Sequence, residues 1–70
     1  MATPEFPLRV IFDDGEVEEI ESAEELMERV ETIDSTDPGN RIWIRDVLDR
    51  TVLLRVRNGM VEVFEAIPPD

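Results

Sequence analysis

The chain has 70 residues, of which 18 are acidic, seven are Arg and none is Lys, for a formal net charge of −11. It contains neither Cys nor His, which excludes disulfides, thiolate or imidazole metal sites, and catalysis by a Cys or a Ser–His pair. A strongly anionic domain is repelled by nucleic acid and by anionic lipid, so we expect direct binding to neither.

A hairpin is predicted near the start of the chain. Residues 8–12 alternate in the manner of a half-buried strand, and Asp14-Gly15 is typical of a two-residue turn. Such a turn would pair Phe12 with Val17. The second strand, residues 16–20, loses the alternation before its end, which predicts a bulge or a strand end near Glu19.

A capped helix follows the hairpin. Ser22 and Glu25 have the spacing of a capping box, so the helix is expected to begin directly after Ser22. Glu25 is also placed for an i,i+4 ion pair with Arg29. The predicted apolar stripe consists of Ala23, Leu26, Met27, Val30 and Ile33. A turn at Asp37-Pro38-Gly39-Asn40 ends the segment.

The last third of the chain is predicted to form strands over residues 41–45, 51–57 and 60–66, with a hairpin turn at Asn58-Gly59. The resulting order, β-β-α-β-β-β, predicts an α+β fold with one helix packed on a mainly antiparallel sheet. We expect one domain, residues 1–70, with tails at 1–6 and 67–70.

An apolar patch is predicted on the sheet face away from the helix. A two-residue turn at Asn58-Gly59 would place Leu53 opposite Phe64 on that face, and Trp43 would join them because Ile42 and Ile44 point the other way. A patch of this kind indicates a contact surface, with a partner or in a homodimer. The alternative is internal cover by Phe6 or by residues 67–69.

The net charge is concentrated in one segment. Residues 13–37 contain twelve acids and one base, whereas the other 45 residues hold six acids and six Arg. Such a patch would steer a basic partner, including a nucleic-acid-binding groove on another protein. The alternatives are a solvated surface and adaptation to high salt. The candidate acidic contacts are Asp13, Asp14, Glu18, Glu24, Glu28 and Glu31.

The acids do not form a recognisable chemical site. Residues 13–16, Asp-Asp-Gly-Glu, partly resemble a calcium loop but lack the twelve-residue ligand spacing and the final bidentate Glu. No nucleophile or phosphate-binding glycine loop accompanies them. We therefore predict no metal site, no cofactor and no catalytic residue.

The stretch from Val10 to Ile33 reads as a strand, an Asp-Asp-Gly turn, a second strand, Glu-Ser-Ala-Glu-Glu-Leu and a helix. In this it resembles the opening of small bacterial immunity proteins of the Imm1-like type. The resemblance covers about a third of the chain and implies a protein that binds and neutralises a toxin. It assigns no contact residue here.

Together these features predict a small, non-enzymatic, acidic binding protein that engages a basic protein partner, as an inhibitor or immunity protein does. The alternative is a structural or accessory subunit that self-associates through the Trp43 face. Because the chain lacks Cys and a long apolar stretch, we expect a cytoplasmic protein without a signal peptide or membrane span.

Overall fold

The computed structural model describes residues 2–37 and 39–68, with Glu31 described by its backbone alone. The elements in chain order are β1 (Leu8–Phe12), β2 (Val17–Ile20), α1 (Ala23–Arg29), a 3-10 turn (Val30–Thr32), β3 (Ile42–Arg45), β4 (Thr51–Arg57) and β5 (Met60–Ile67). The strands form one antiparallel sheet in the order β2-β1-β3-β4-β5. The predicted α+β class and element order are confirmed.

The hydrophobic core lies between α1 and one face of the sheet. Its buried members are Leu8, Val10, Ile20, Leu26, Val30, Ile33, Ile42, Ile44, Val52 and Leu54. Only three of the five residues in the predicted helical stripe belong to it, because Ala23 is exposed and Met27 is 53% exposed. The α-helix ends at Arg29, so Leu26 is the buried stripe residue within α1 itself. Val30 and Ile33 reach the core from the 3-10 turn and from the residue that follows it.

The predicted capping box is present at the start of α1. The Glu25 N–H donates to Ser22 Oγ at 3.2 Å, and the Glu25 carboxylate accepts from the Glu21 N–H at 3.2 Å. The expected Glu25–Arg29 pair does not form. Instead Arg29 Nη1 lies 2.9 Å from Glu18 Oε1, so this ion pair joins the helix to β2.

The first hairpin differs from its predicted register by one residue. Gly15 has a φ of 94°, and a three-residue loop pairs Ile11, not Phe12, with Val17. The correction follows from Gly15, whose left-handed conformation ends a three-residue loop as readily as a two-residue one. β2 then pairs regularly, with Val17 and Ile20 on opposite faces, and it ends at Ile20. Of the two alternatives predicted near Glu19, the structure therefore shows a strand end and not a bulge.

The second hairpin begins as predicted and then shifts. Asn58 and Gly59 have φ values of 54° and 76°, and the first pairs, Arg57–Met60 and Val56–Val61, are those expected. A bulge between Arg55 and Val56 then moves the register by one residue. Phe64 consequently lies opposite Leu54 on the core face, and Leu53 lies opposite Glu65. The prediction that Phe64 shares a face with Trp43 is wrong.

The N-terminal arm, predicted as a tail, packs on the domain. Pro4 is buried, and the Phe6 ring lies 6.2 Å from the ring of Phe64 on the core side. The Ala66 N–H donates to the Ala2 carbonyl at 2.7 Å. The arm therefore covers the β5 end of the core face. There it contacts Phe64, which the bulge turns toward the core. At the other end, residue 67 closes β5, and residues 69–70 lie outside the described chain.

Asp46 organises the β3–β4 loop from a fully buried position. Its carboxylate accepts hydrogen bonds from the Arg50 side chain and backbone at 2.8 and 2.9 Å, from Leu48 N at 3.1 Å, and from Glu5 N at 3.2 Å. Burial alone would raise the pKa of Asp46, but the Arg50 hydrogen bonds and the other donors outweigh it and hold the pKa below its ordinary value.

Asp34 and Ser35 extend the sheet where β3 and β4 diverge. β3 and β4 pair at Arg45 and Thr51. Beyond this pair, the Ser35 N–H donates to the Leu54 carbonyl and the Leu54 N–H donates to Ser35 Oγ, both at 2.9 Å. Asp34 Oδ2 accepts from Val56 N at 2.9 Å. The chain after the helix thus satisfies β4 backbone groups that would otherwise lack partners.

Candidate functional site

The predicted contact residues separate into two surfaces on opposite sides of the sheet. Ile42 and Ile44 point into the core beneath α1 and are 6% and 1% exposed, whereas Trp43 between them is 56% exposed. Successive side chains on a strand face opposite ways. Trp43 therefore lies on the side away from the helix. A flat partner that covered the outer side of α1 would not reach Trp43.

The acidic surface is formed by the β1–β2 turn and by α1, within residues 13–37. Asp13 and Asp14 are exposed in the turn, and Glu24 and Glu28 are exposed on the helix. Glu18 lies on β2 beside the helix, where it pairs with Arg29. The side chain of Glu31, the sixth predicted acidic contact, lies outside the described part of the structure.

Ion pairs leave most of this surface uncompensated. In the described chain, the recorded ion pairs of residues 13–37 are Glu18–Arg29 at 2.9 Å and an exposed Asp13–Arg41 contact at 3.7 Å. Four further Arg residues, Arg9, Arg50, Arg55 and Arg57, pair with acids elsewhere, namely Asp49, Asp46, Glu5 and Glu62. Arg45 donates to the main-chain carbonyl of Asp49 at 3.3 Å. The excess negative charge therefore stays at the turn and the helix.

Crowding of the carboxylates is visible at Glu21. A hydrogen bond with the Glu19 side chain and repulsion from the Glu19 charge raise the pKa of Glu21, with a smaller contribution from Glu25. A raised carboxyl pKa means that the surroundings disfavour a further negative charge. A cation placed here would relieve that repulsion.

The second surface, here called the open face, is the sheet side opposite α1. Its apolar residues are Ile11, Val17, Trp43, Leu53, Val63 and Ile67. Ile11 on β1 lies directly between Val17 on β2 and Trp43 on β3, which forms a continuous apolar row. Val17 is 55% exposed and Trp43 is 56% exposed, so the row meets solvent in the described chain.

The charges of the open face balance. Arg9 on β1 lies between Glu19 and Arg45 on the neighbouring strands, and its Nη2 is 2.9 Å from Asp49 Oδ1. Across the face, four Arg accompany four acids. These are Arg9, Arg45, Arg55 and Arg57, with Glu19, Asp49, Glu62 and Glu65. The open face is therefore close to neutral, whereas the acidic surface is not.

Sequence reasoning placed Trp43 and Leu53 on this face correctly but missed Ile11 and Val17. A two-residue turn would pair Val17 with Phe12 on the core side, whereas the three-residue loop that ends at Gly15 pairs Val17 with Ile11 on the open face. Phe64 leaves the candidate set because it packs against Phe6 on the core side.

The described residues were compared with what a metal site and a small-molecule pocket require. They contain no group of three or more carboxylate, His or Cys side chains arranged to hold a metal ion. A groove of about 220 Å³ lies between the end of α1 and the β4–β5 turn, lined by Met27 to Val30, Thr32 and Gly59. Pockets for drug-sized ligands usually measure about 300–1,000 Å³.

No α-helix in the described chain has the length and apolarity to cross a membrane. Comparison with protein-family models, curated proteins and solved structures finds no match. Functional inference for this protein therefore rests on its two surfaces.

Proposed function

We propose that this protein is a small acidic binding protein that engages a basic protein partner, as inhibitors and immunity proteins do. The observation that carries the proposal is the placement of charge. The segment that holds the whole net charge of −11 presents its carboxylates at one hairpin turn and one helix, with little compensation by Arg.

The acidic side chains are held by well-packed elements. Leu26 and Val30 are 3% and 4% exposed and fix α1 against the sheet, which turns Glu24 and Glu28 outward. The Glu18–Arg29 pair ties the same helix to β2. A charged surface on a rigid element can dock without first being ordered, so less of the interaction free energy is lost on binding.

Electrostatic attraction would act mainly on the rate of encounter. Complementary charge raises protein association rates from about 10⁵–10⁶ M⁻¹s⁻¹ towards 10⁸–10⁹ M⁻¹s⁻¹ at low salt. The partner class that fits is a protein with an Arg- or Lys-rich groove, such as one that normally binds a nucleic acid. Occupation of that groove by carboxylates would exclude the polyanion. The resemblance of residues 10–33 to immunity proteins of the Imm1-like type agrees with this role.

The proposal is tested by affinity capture from a lysate of the source organism with elution by increasing NaCl. We expect a basic protein that is retained at low salt and released at moderate salt, because screening weakens contacts between exposed charges. A Glu24→Gln/Glu28→Gln bait should release the same protein at a lower NaCl concentration.

A bait with the same change in net charge elsewhere controls for non-specific ion exchange. Glu62→Gln/Glu65→Gln also removes two negative charges, but on the open face. If both double variants release the captured protein at the same NaCl concentration, the acidic surface is not its binding site. Capture of no basic protein by the wild-type bait would contradict the proposal altogether.

A further inference from the structure

The open face has properties that the proposed function does not use. We propose that it binds a second copy of the chain, with the two sheets packed face to face in a twofold-symmetric dimer and both acidic surfaces directed outward. This inference is independent of the proposed function, since it concerns the opposite side of the molecule.

Charge selects a second copy as the occupant. Two chains that each carry −11 repel each other through the β1–β2 turn and α1. The open face is the side on which four Arg balance four acids, so two copies can approach there with the least repulsion. A strongly basic partner gains most at the acidic surface and little at a neutral one.

The open face also has the anatomy of an interface. Interfaces are enriched in aromatic residues and in Arg relative to the rest of the protein surface. Trp43 lies on β3, the middle strand of the five, and Ile11 and Val17 continue the apolar row towards one edge. The neighbouring row carries Glu19, Arg9 and Arg45. In a twofold arrangement, Arg side chains of one copy can meet carboxylates of the other.

The available area predicts a weak association. Five strands at a spacing of about 4.8 Å, each roughly 20 Å long, present on the order of 500 Å² per copy. Two copies would bury about 1,000 Å², which is near the lower limit for a specific interface. We therefore expect a weak, reversible dimer, since interfaces below about 1,200 Å² are typical of transient contacts.

Salt distinguishes this contact from the proposed partner contact. Dimerisation brings two anionic chains together, so screening of their long-range repulsion should strengthen it. Binding of a basic protein to the acidic surface should weaken under the same change. A dimer would also present two acidic surfaces, so a multivalent basic partner would be held more tightly than by one chain.

The test measures the mass of the purified full chain by sedimentation velocity across a concentration series, at about 50 mM and about 500 mM NaCl. Trp43 is the single Trp, so its fluorescence reports burial of the open face directly. We expect the dimer to form at lower protein concentration in high salt, with a shift of Trp43 emission to shorter wavelength over the same range.

Two variants and one control locate the contact. Trp43→Ala should weaken dimerisation by about tenfold or more, and Val17→Ser should weaken it less, because contacts near the centre of an interface contribute most. Both side chains are more than half exposed, at 56% and 55%, so folding should survive, as circular dichroism would verify. Met27→Ser is the control, since Met27 is 53% exposed on the helix side and should leave the dimer unchanged.

Several results would overturn the inference. One is a monomer at every concentration, including the case in which Trp43 emission shifts only when a basic protein is added, since the open face would then belong to that partner. Another is a dimer that Met27→Ser weakens as much as Trp43→Ala does. A dimer that dissociates as NaCl is raised would equally contradict it, because long-range repulsion between two chains of net charge −11 would then not be what limits their association.

Discussion

Asp46 shows how one residue can hold three parts of the chain together. Its buried carboxylate receives hydrogen bonds from the loop that follows it, from Arg50 and from Glu5 in the N-terminal arm. The contact is local in space but spans 41 residues of sequence. Nothing in the local pattern predicts it, because Asp46 looks like any polar residue between two strands.

Replacement of Asp46 by Ala should be strongly destabilising. It would leave the Arg50 guanidinium, which is only 16% exposed, and several N–H groups without their acceptor. Breaking a buried pair in this way costs about 3–5 kcal/mol. Urea unfolding should show this loss for Asp46→Ala.

Asp49→Asn is the control, because it removes an ion pair that is exposed to solvent. Asp49 pairs with Arg9 at the surface, with side-chain exposures of 71% and 49%, and surface pairs contribute about 0–1 kcal/mol. A loss of similar size for both variants would mean that the Asp46 network adds nothing beyond an ordinary surface contact.

The lowered pKa values of Asp34 and Asp46 predict acid sensitivity. Because each folded-state pKa lies below the unfolded value of about 3.9, the ionised carboxylates stabilise the fold above that pH. The contribution is lost as the pH falls through the folded-state values. The free energy of unfolding should therefore decrease steeply below about pH 4.

In Asp46→Asn, the free energy of unfolding should decrease less as the pH falls below about 4, because one of these two carboxyl groups is gone. Urea unfolding at a series of pH values from about 7 to about 2 would measure the difference. Glu21 has the opposite effect on stability. Its pKa is raised in the folded state, so its protonation as the pH falls stabilises the fold. If Asp46→Asn loses as much free energy of unfolding at low pH as the wild type does, other carboxylates cause the pH dependence.

At the scale of elements, the start of α1 was predictable because its signals are local. Ser22 and Glu25 satisfy backbone N–H groups within five residues of sequence. Ser22→Ala should destabilise the domain by about 1 kcal/mol, the usual effect of losing an N-cap. Urea unfolding would measure it. Ser22→Thr keeps the hydroxyl and should retain most of the stability, so equal losses in both variants would argue against capping as the cause.

Strand registers were only partly predictable. The Asn58-Gly59 turn fixed the first two pairs of its hairpin. The bulge between Arg55 and Val56 then turns Phe64 to the core side, where it packs against Phe6, a contact between opposite ends of the sequence. The positive φ of Gly15 is compatible with either a two-residue or a three-residue loop, and the first hairpin has the three-residue loop. Turn residues thus predict where a hairpin lies, whereas packing decides which side chains face the core.

The whole molecule has two sides of different character. The division of charge between residues 13–37 and the remainder was evident from the sequence, and so was the outward position of Trp43. The sequence also predicted that the apolar patch lies on the sheet face away from the helix, and the positions of Trp43 and Leu53 confirm it. The acidic side chains of α1 and the apolar residues of the open face therefore belong to two surfaces.

The excess acid should also cost stability. Glu24 and Glu28 are an exposed i,i+4 like-charge pair, so Glu24→Gln/Glu28→Gln should raise the free energy of unfolding by a few tenths of a kcal/mol. Added NaCl should stabilise the wild type more than this variant, as urea unfolding at two salt concentrations would show. Glu62→Gln, which removes the partner of Arg57, should instead be neutral or destabilising. A less stable Glu24→Gln/Glu28→Gln protein would contradict the claim of repulsion on the helix.

The most direct test of the central claim is the association rate of the captured basic partner, measured by stopped-flow against NaCl concentration. For the wild type and Glu62→Gln/Glu65→Gln, we predict fast association at low salt that slows steeply as salt is added. Charge reversal by Glu24→Lys/Glu28→Lys should slow association at low salt and flatten its salt dependence, with all rates converging at high salt. If the charge-reversed protein associates as fast as the wild type at low salt, the acidic surface does not steer the partner and the account is wrong.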